Sequence, residues 1–407
     1  MVSDSPAPPR RAVLTAGGGL LGTVLAGHLA SSTERASADA DDGWPMDRRD
    51  PGGTSYARGV VGPRDDVTVR WTHSVDGHTG FLAPTPVVAD GTVYVVGRGL
   101  TAVDAADGTA QFRYPTSPTA PPAVATATAY RTPTVVLAGS STVGLHARGG
   151  PSLLGWRPAM TRWTTGPRGD DDSFRFGGPT ETPPVAADGT VLVDSAGTLA
   201  AVDASSGAVR WQAERTQRRP AVRDGTVYAL GLESLYGFDL TGGERTTLAT
   251  VDRGLRSVTA APDRLVVGTY ESLVSISYDG TIEWEYAPDG AVSLEEVAPA
   301  VADGVVYASF TVDETQRLLA LDATDGTTLW EAPLAVDQSG GNGALAVAEA
   351  MLYVPTPDGG LVGVDRADGR VRWRFGTDTA YPWSSVAVAG GRLYAFADQT
   401  LYALEAA

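Results

Sequence analysis

The chain has 407 residues, and its 48 acidic against 31 basic residues give a net charge of −17, which makes nucleic acid and anionic lipid poor partners. It contains no cysteine, which excludes disulfides, thiolate metal sites and a cysteine nucleophile. All of its basic residues are arginine, and an acidic chain without lysine is typical of proteins that fold in high salt, so we expect a halophilic protein of the haloarchaeal type.

Residues 1–38 have the pattern of an export signal. Arg10 and Arg11 precede a mildly apolar run at 12–30, and the small residues 36–38 fit a cleavage site. This pattern resembles a twin-arginine signal peptide, which implies export of the folded protein to the cell surface or the medium. The apolar run is also near the length that spans a bilayer, so an uncleaved N-terminal anchor is the alternative. No later stretch predicts a transmembrane segment.

Residues 39–66 predict an extended, turn-rich lead-in, and residues 67–72 predict the first strand. At the other end, residues 401–405 match the strand at 318–322 position by position, but the chain stops before a return strand. We therefore expect the N-terminal strand to complete the last unit, because closing a ring removes open sheet edges. Residues 67–407 then form one closed domain.

One phrase recurs along this domain and is complete between Leu318 and Trp330. Apolar alternation leads to Asp322, Gly326 follows four residues later, and Trp330 four after that. The carboxylate can accept hydrogen bonds from the turn, and glycine supplies a positive φ. A ring repeated once per unit predicts a wedge buried against the next unit, with ligand stacking as the alternative. The equivalent aromatic residues are Trp71, Phe112, Trp211, Trp284, Trp330 and Trp373, and the equivalent acids are Asp104, Asp203, Asp239, Asp322 and Asp365.

Eight such units follow one another at intervals of roughly 40 residues. Each has room for four strands joined by tight turns such as Asp90-Gly91 and Asp107-Gly108. The pattern predicts an all-β, eight-bladed β-propeller of four-stranded antiparallel blades, with the last blade closed by the N-terminal strand. The second unit has His146 in place of the turn acid, and the fifth is one residue short. The first strands are predicted to begin near Pro86, Pro122, Pro184, Pro220, Pro262, Pro299, Ala344 and Ser385.

The phrase A-x-D-x-x-x-G-x-x-x-W, present at 201–211 and 320–330, resembles the tryptophan-docking repeat of the eight-bladed propellers of the pyrroloquinoline-quinone (PQQ) type. The resemblance covers residues 44–407. It implies the propeller fold, but the superfamily contains both quinoprotein dehydrogenases and cofactor-free scaffolds, such as the propeller lipoprotein of the outer-membrane barrel-assembly machine. The adjacent cysteine pair of the alcohol dehydrogenases is absent. Their calcium site uses Glu, Asn and Asp, and the one asparagine of this chain, Asn342, has no recognisable partner motif.

The connections between blades are longer and less regular than the tight turns, which lie on the opposite face. Binding residues are usually presented on such loops, so we expect a ligand or partner on the long-connection face. A solvated acidic surface or packing of the loops over the blades is the alternative for each candidate. No catalytic or metal-binding residue is predicted. The candidates on this face are Phe81, Phe174, Arg175, Phe176, Glu295, Glu296, Asn342 and Trp383.

Two functions from different classes agree with these patterns. The favoured one is an exported, monomeric, non-catalytic scaffold that binds protein partners at the cell envelope and needs no cofactor. The alternative is a PQQ-dependent dehydrogenase or a PQQ-binding sensor, which requires calcium and a central pocket lined by a flat aromatic ring, arginine and carboxylates.

Overall fold

The structure is a computed structural model. It describes residues 42–76, 84–115, 120–139, 141–152, 157–165, 182–195, 198–214, 216–251, 254–289, 292–293, 298–312, 315–334, 344–356, 358–377 and 383–407. These residues contain 33 strands and no helix. Accordingly, none of them forms a helix that could cross a membrane.

The strands form eight antiparallel sheets, each of which is one blade. Strand β1 is Val67–Ser74. Blade one is β2 (Val87–Ala89), β3 (Thr92–Val96), β4 (Gly99–Asp104) and β5 (Ala110–Pro115); blade two is β6 (Ala123–Ala125), β7 (Thr134–Leu137), β8 (Thr142–His146) and β9 (Thr161–Thr165); blade three is β10 (Val185–Ala187), β11 (Thr190–Ser195), β12 (Thr198–Asp203) and β13 (Val209–Glu214); blade four is β14 (Gln217–Arg223), β15 (Thr226–Leu230), β16 (Ser234–Asp239) and β17 (Arg245–Thr250).

The second half of the chain repeats this order. Blade five is β18 (Ser257–Ala260), β19 (Leu265–Gly268), β20 (Leu273–Ile276) and β21 (Ile282–Tyr286); blade six is β22 (Val292–Ser293), β23 (Ala300–Ala302), β24 (Val305–Val312), β25 (Thr315–Asp322) and β26 (Thr328–Pro333); blade seven is β27 (Ala346–Val347), β28 (Met351–Thr356), β29 (Gly360–Asp365) and β30 (Val371–Gly376); blade eight contains β31 (Ala387–Ala389), β32 (Arg392–Ala397) and β33 (Thr400–Ala406).

Blade eight obtains its fourth strand from the other end of the chain. Strand β1 pairs antiparallel with β33, with Val67 opposite Ala406 and Ser74 opposite Thr400. The predicted propeller, with its last blade closed by the N-terminal strand, is therefore confirmed.

The tight turns explain why the hairpins recur. Between β2 and β3, Asp90 and Gly91 have φ values of 48° and 71°, and two consecutive positive φ values define the turn whose twist matches a two-residue hairpin. Aspartate tolerates this conformation better than most residues, and glycine adopts it freely. The same pair of positive φ values occurs at Asp188-Gly189, Asp224-Gly225 and Asp303-Gly304.

Two details differ from the sequence interpretation. The first strand of blade five lies before Pro262 and ends at Ala260, so Pro262 belongs to the turn rather than to the start of the strand. Proline is easily taken for a strand start because it precedes the first strand in most other blades. Blade six also has five strands, because the short β22 pairs with β24 beyond β23.

The core consists of side chains packed between neighbouring blades. One cluster joins Tyr94 and Leu100 of blade one to Val135 and Leu145 of blade two, and each of these residues is at most 1% exposed. The first strands of neighbouring blades also contact one another, so their unpaired edges face the axis of the ring. The axis is therefore lined by backbone that needs hydrogen-bond partners.

Candidate functional site

Six tryptophans link neighbouring blades. In each case the tryptophan lies on the fourth strand of one blade, and its indole Nε1–H donates to a backbone carbonyl across the junction with the next blade. At five of the six junctions a glycine lies under the ring. At Gly326, a Cβ atom would lie 2.8 Å from Trp284 Cδ2, so only glycine leaves room for the ring. The pairs are Trp71 with Ala105 (3.1 Å), Trp163 with Ala204 (3.0 Å), Trp211 with Leu240 (2.9 Å), Trp284 with Ala323 (2.8 Å), Trp330 with Arg366 (3.1 Å) and Trp373 with Pro63 (3.3 Å).

The five turn acids share one geometry. Each Oδ1 accepts a hydrogen bond from the backbone N–H two residues later, which fixes the turn that carries the docking glycine. The donors are Ala106 for Asp104, Ser205 for Asp203, Thr241 for Asp239, Thr324 for Asp322 and Ala367 for Asp365, at 2.7 to 3.0 Å.

Two of these acids also bind an arginine. Asp203 accepts from Arg210 at 2.5 Å, and Asp365 accepts from Arg372 Nε at 3.0 Å. Burial alone would raise the pKa of Asp365, but the Arg372 guanidinium and the Ala367 N–H stabilise the carboxylate and hold its pKa below the usual value. The pKa of Asp203 is lowered in the same way, against burial, by Arg210 and Ser206.

Trp163 was missed by the sequence analysis. In blade two the phrase is interrupted: His146 replaces the acid, and Trp163 follows Gly149 by fourteen residues instead of four. A signal was nevertheless present, because Arg162-Trp163-Thr164 resembles the Arg70-Trp71-Thr72 strand.

Among the residues that the structure describes, two of the eight junctions have no docking tryptophan. Between blades one and two, Phe112 takes its place, and a Cβ on Gly149 would lie 2.9 Å from Phe112 Cδ1. Between blades four and five, Gly280 lies against the backbone of Leu248. Neither Phe112 nor Leu248 has a side-chain N–H, so neither residue can donate the hydrogen bond that the indole makes at the other junctions.

The axis is occupied by the chain itself. Residues 44–57, here called the axial segment, run around the inner edges of the blades in blade order. The N–H groups of six first strands donate to its carbonyls, at equivalent register positions. The pairs are Val88 to Trp44 (2.8 Å), Val124 to Pro45 (2.7 Å), Val222 to Pro51 (2.8 Å), Ala260 to Gly52 (2.8 Å), Val301 to Thr54 (3.0 Å) and Val347 to Ser55 (2.9 Å).

Two buried arginines hold the turn of the axial segment. Arg48 is 5% exposed and donates to Pro299 O at 2.7 Å and to Thr259 Oγ1. Arg219 is 8% exposed and reaches back to the carbonyls of Asp47 at 2.8 Å and Asp50 at 2.9 Å. Burial, followed by the neighbouring charge of Arg219, lowers the pKa of Arg48 to about 9. The segment is thus fixed by side chains as well as by backbone.

The segment is also fastened near both ends. At its start, the Gly390 N–H donates to Asp42 at 3.1 Å. At its end, the Tyr56 hydroxyl donates to Asp303 at 2.6 Å, and Arg366 donates to the same carboxylate oxygen at 2.9 Å. Residues 42–57 of the lead-in, which was predicted to be extended and turn-rich, are therefore an integral part of the ring.

Most candidates for the long-connection face lie outside the described residues: Phe81, Phe174, Arg175, Phe176, Glu295, Glu296 and Asn342. Trp383 is described and is 2% exposed. Its Nε1–H donates to Gly359 O at 2.7 Å, and its ring lies 5.2 Å from that of Tyr402. Trp383 is thus a core residue, which differs from the prediction of a ligand-facing side chain.

The described part of the chain contains no group of three or more His, Asp or Glu residues that could hold a metal ion. It does expose two large apolar side chains on the long-connection face, in turns between second and third strands. Leu232 of blade four is 78% exposed, and Tyr270 of blade five is 52% exposed. Arg256 lies over the Tyr270 ring, with its Cζ 3.7 Å from the ring centroid. These residues form an apolar surface flanked by a cation.

Solved structures share this fold at low sequence identity. BamB from Moraxella catarrhalis is 16% identical with a TM-score of 0.59, and the alignment covers 84% of this chain and 98% of that one. The quinohemoprotein alcohol dehydrogenase ADHIIG from Pseudomonas putida HK5 is 12% identical with a TM-score of 0.69, covering 91% and 81%. A europium-containing methanol dehydrogenase is 11% identical with a TM-score of 0.67, covering 91% and 100%. A comparison with curated proteins finds no significant match.

A family profile adds sequence evidence to the shared fold. The profile described as outer membrane protein assembly factor BamB matches residues 60–153, 153–246 and 233–407, which together make up most of the chain. These matches run through all eight blades and include the docking phrases. The chain belongs to this family of PQQ-like repeat propellers.

Proposed function

We propose that this protein is a non-catalytic β-propeller scaffold that binds protein partners at the cell envelope. The observation that supports this function is the axial segment: six inner-strand N–H groups already donate to the chain's own carbonyls. Backbone donors that are satisfied within the protein offer a ligand no free hydrogen-bonding edge.

The described axial residues do not fit PQQ with calcium. Calcium takes six to eight oxygen ligands, mostly carboxylates and carbonyls. At the axis, Asp47 accepts from Thr85 at 2.7 Å and Asp50 accepts from the Thr54 N–H at 3.1 Å. The two arginines that could face a carboxylated quinone bind carbonyls of the protein instead, Arg48 that of Pro299 and Arg219 that of Asp50.

The long-connection face is the proposed binding surface. Leu232 and Tyr270 are exposed there on a rigid framework, and the Leu255 N–H of the connection donates to Leu232 O at 3.3 Å. Exposed aromatic and aliphatic side chains on such turns are suited to binding a protein, because protein–protein interfaces bury aromatic and other apolar side chains together with arginine.

We further propose that this protein is exported and acts in high salt. The twin-arginine pattern at residues 1–38 supports export of the folded propeller to the cell surface, and the net charge of −17 supports function in high salt. The BamB family match supports a protein-binding role at the envelope, and we propose a monomer that needs no cofactor.

Calorimetric titration of the protein with PQQ, in molar salt with calcium, tests the absence of a cofactor. We expect no heat of binding and no quinone absorbance in the protein after desalting. Micromolar binding would overturn the scaffold proposal and favour a quinoprotein dehydrogenase or sensor.

Partner binding is tested by crosslinking and capture from envelope extracts of the native host. We expect a partner captured by the wild type to be lost with Leu232→Ser and Tyr270→Ser, since both changes remove exposed apolar contacts. Ile282→Ser is the matched control, because Ile282 is 49% exposed but lies on an outer strand. Equal loss in all three variants, or capture unaffected by any of them, would contradict the proposed surface.

A further inference from the structure

The axial segment and the docking tryptophans are complementary in position. Docking tryptophans on fourth strands, away from the axis, join six junctions, and no described tryptophan docks between blades one and two or between blades four and five. The axial segment joins blades at the opposite, inner edge. At three places, two adjacent carbonyls of the axial segment accept hydrogen bonds from the first strands of two neighbouring blades. Each such pair of carbonyls therefore links two blades directly.

Two of the three linking pairs cross the junctions without tryptophan. Trp44 O and Pro45 O accept from Val88 of blade one and Val124 of blade two. The third pair, Thr54 and Ser55, crosses a junction that also has its tryptophan.

The second of these pairs lies at the other junction without tryptophan. Pro51 O and Gly52 O accept from Val222 of blade four and Ala260 of blade five, both at 2.8 Å. Because consecutive Cα atoms are fixed at about 3.8 Å, a pair of adjacent carbonyls sets the separation of the two first strands.

The two junctions without a described docking tryptophan retain other contacts between their blades. At the first, the buried Tyr94 hydroxyl donates to Ala147 O at 2.7 Å. At the second, the rings of Tyr228 and Tyr278 lie 5.4 Å apart. Hydroxyl and ring contacts of this kind also occur at junctions with tryptophan, where Tyr353 donates to Pro63 O at 3.1 Å and its ring lies 5.9 Å from that of Trp373. Ala147 O, which follows His146 as Ala323 follows Asp322, therefore has the Tyr94 hydroxyl as its donor, and the indole that accompanies the hydroxyl at Pro63 O has no described counterpart there.

We propose that residues 44–55 of the axial segment act as an internal strap, which holds the two junctions without a described docking tryptophan closed. When the strap is released, the ring opens first at these two junctions. The ring then separates into two arcs, one of blades two to four and one of blades five to eight with blade one. Local opening of this kind is expected where few interactions link adjacent units.

Glycine substitutions can displace the strap at one junction at a time. A Cβ on Gly52 would lie 2.6 Å from Ala260 O, and a Cβ on Gly43 would lie 3.0 Å from Val88 O. Gly52→Ala therefore perturbs the junction of blades four and five, and Gly43→Ala perturbs that of blades one and two. Gly376→Ala is the control, because nothing lies within 4 Å of that Cβ position.

Hydrogen exchange followed by mass spectrometry is the first test. With Gly52→Ala we expect exchange in peptides containing β14 and β18 to accelerate about tenfold, the factor that corresponds to about 1.4 kcal/mol. Peptides at the junction of blades two and three, which has Trp163, should keep their wild-type rate. Equal acceleration in all blades, or none at this junction, would overturn the proposal.

A double-mutant cycle gives a second test that needs only mild variants. Phe112→Trp introduces an indole donor at the junction of blades one and two, where Gly149 has a positive φ (64°), as the other docking glycines do. We expect Gly43→Ala to accelerate exchange at this junction severalfold less in the Phe112→Trp background than in the wild type. Gly52→Ala, at the other junction, should have the same effect in both backgrounds. Identical effects of Gly43→Ala in both backgrounds would contradict a strap that substitutes for tryptophan.

Discussion

The indole N–H gives a docking tryptophan a contribution to stability beyond that of its ring size. The ring fills space over the glycine of the next blade, which phenylalanine also does at position 112. The N–H, however, satisfies a carbonyl that is buried at the junction, as for Ala323 at 2.8 Å from Trp284. An unsatisfied buried carbonyl is destabilising, so the donor matters as much as the ring.

Trp284→Phe should lower the free energy of unfolding by about 1–3 kcal/mol, because Ala323 O loses its donor. Chemical denaturation at fixed salt measures the change. Trp44→Phe is the matched control: Trp44 is 1% exposed, and its Nε1–H has no partner among the described residues. A loss with Trp44→Phe as large as with Trp284→Phe would show that ring size, not the hydrogen bond, sets the effect.

Asp365 predicts a specific dependence of stability on pH. Its pKa is lowered in the folded state, so it stabilises the protein above its unfolded pKa of about 3.9, and this contribution is lost as the pH falls through the lower folded pKa. Asp365→Asn should be less stable than the wild type at pH 7 and lose less stability between about pH 4 and pH 2. Denaturation curves across this range measure the difference, with the exposed Glu271→Gln as control. Parallel pH profiles for wild type and Asp365→Asn would exclude this role.

At the scale of elements, the hairpins were predictable because their turns are chemically explicit. Asp-Gly pairs fix the tight turns, and the acid, glycine and tryptophan follow at constant spacing. Where a local signal was replaced, the prediction was wrong: Pro262 lies in a turn, and Trp163 follows an altered spacing.

The axial segment could not be predicted at all, because its partners are single N–H groups of six strands that lie between 44 and 292 residues away in sequence. Trp383 was placed on a surface because its position in a long connection does not reveal burial.

The docking glycines should be more sensitive than the hairpin glycines. Gly326 has a φ of 74°, and a Cβ there would also overlap the Trp284 ring, whereas Gly304 has a φ of 78° and nothing within 4 Å. Gly304→Ala is expected to cost about 1–2 kcal/mol from backbone strain alone. Gly326→Ala should cost about 1–3 kcal/mol more, because the ring must shift. Equal losses in thermal or chemical denaturation would argue against a tight fit between ring and glycine.

At the scale of the whole molecule, charge makes stability depend on salt. The net charge of −17 makes the compact state repel itself, and dissolved salt screens this repulsion over about 10 Å at 0.1 M and about 3 Å at 1 M. Among the described acidic residues, Asp90, Asp188 and Asp224 are exposed in tight turns, where solvent ions reach them.

Raising potassium chloride from 0.1 M to 2 M should therefore raise the melting temperature by several degrees, an effect of about 1–2 kcal/mol in stability. Differential scanning calorimetry measures it, and tetramethylammonium chloride at the same ionic strength is the control for general screening. A melting temperature that stays constant or falls with salt would be inconsistent with adaptation to high salt.

The closure of blade eight also sets the order in which the molecule can be completed. Its outer strand, Val67–Ser74, is the first of the 33 described strands, and the strand it pairs with, Thr400–Ala406, is the last of them. A contact of such sequence separation is slow to form and, during synthesis, cannot form until residues 400–406 have left the ribosome. Blades one to seven can therefore assemble during translation before the ring closes, and closure of blade eight is the last step in completing the propeller.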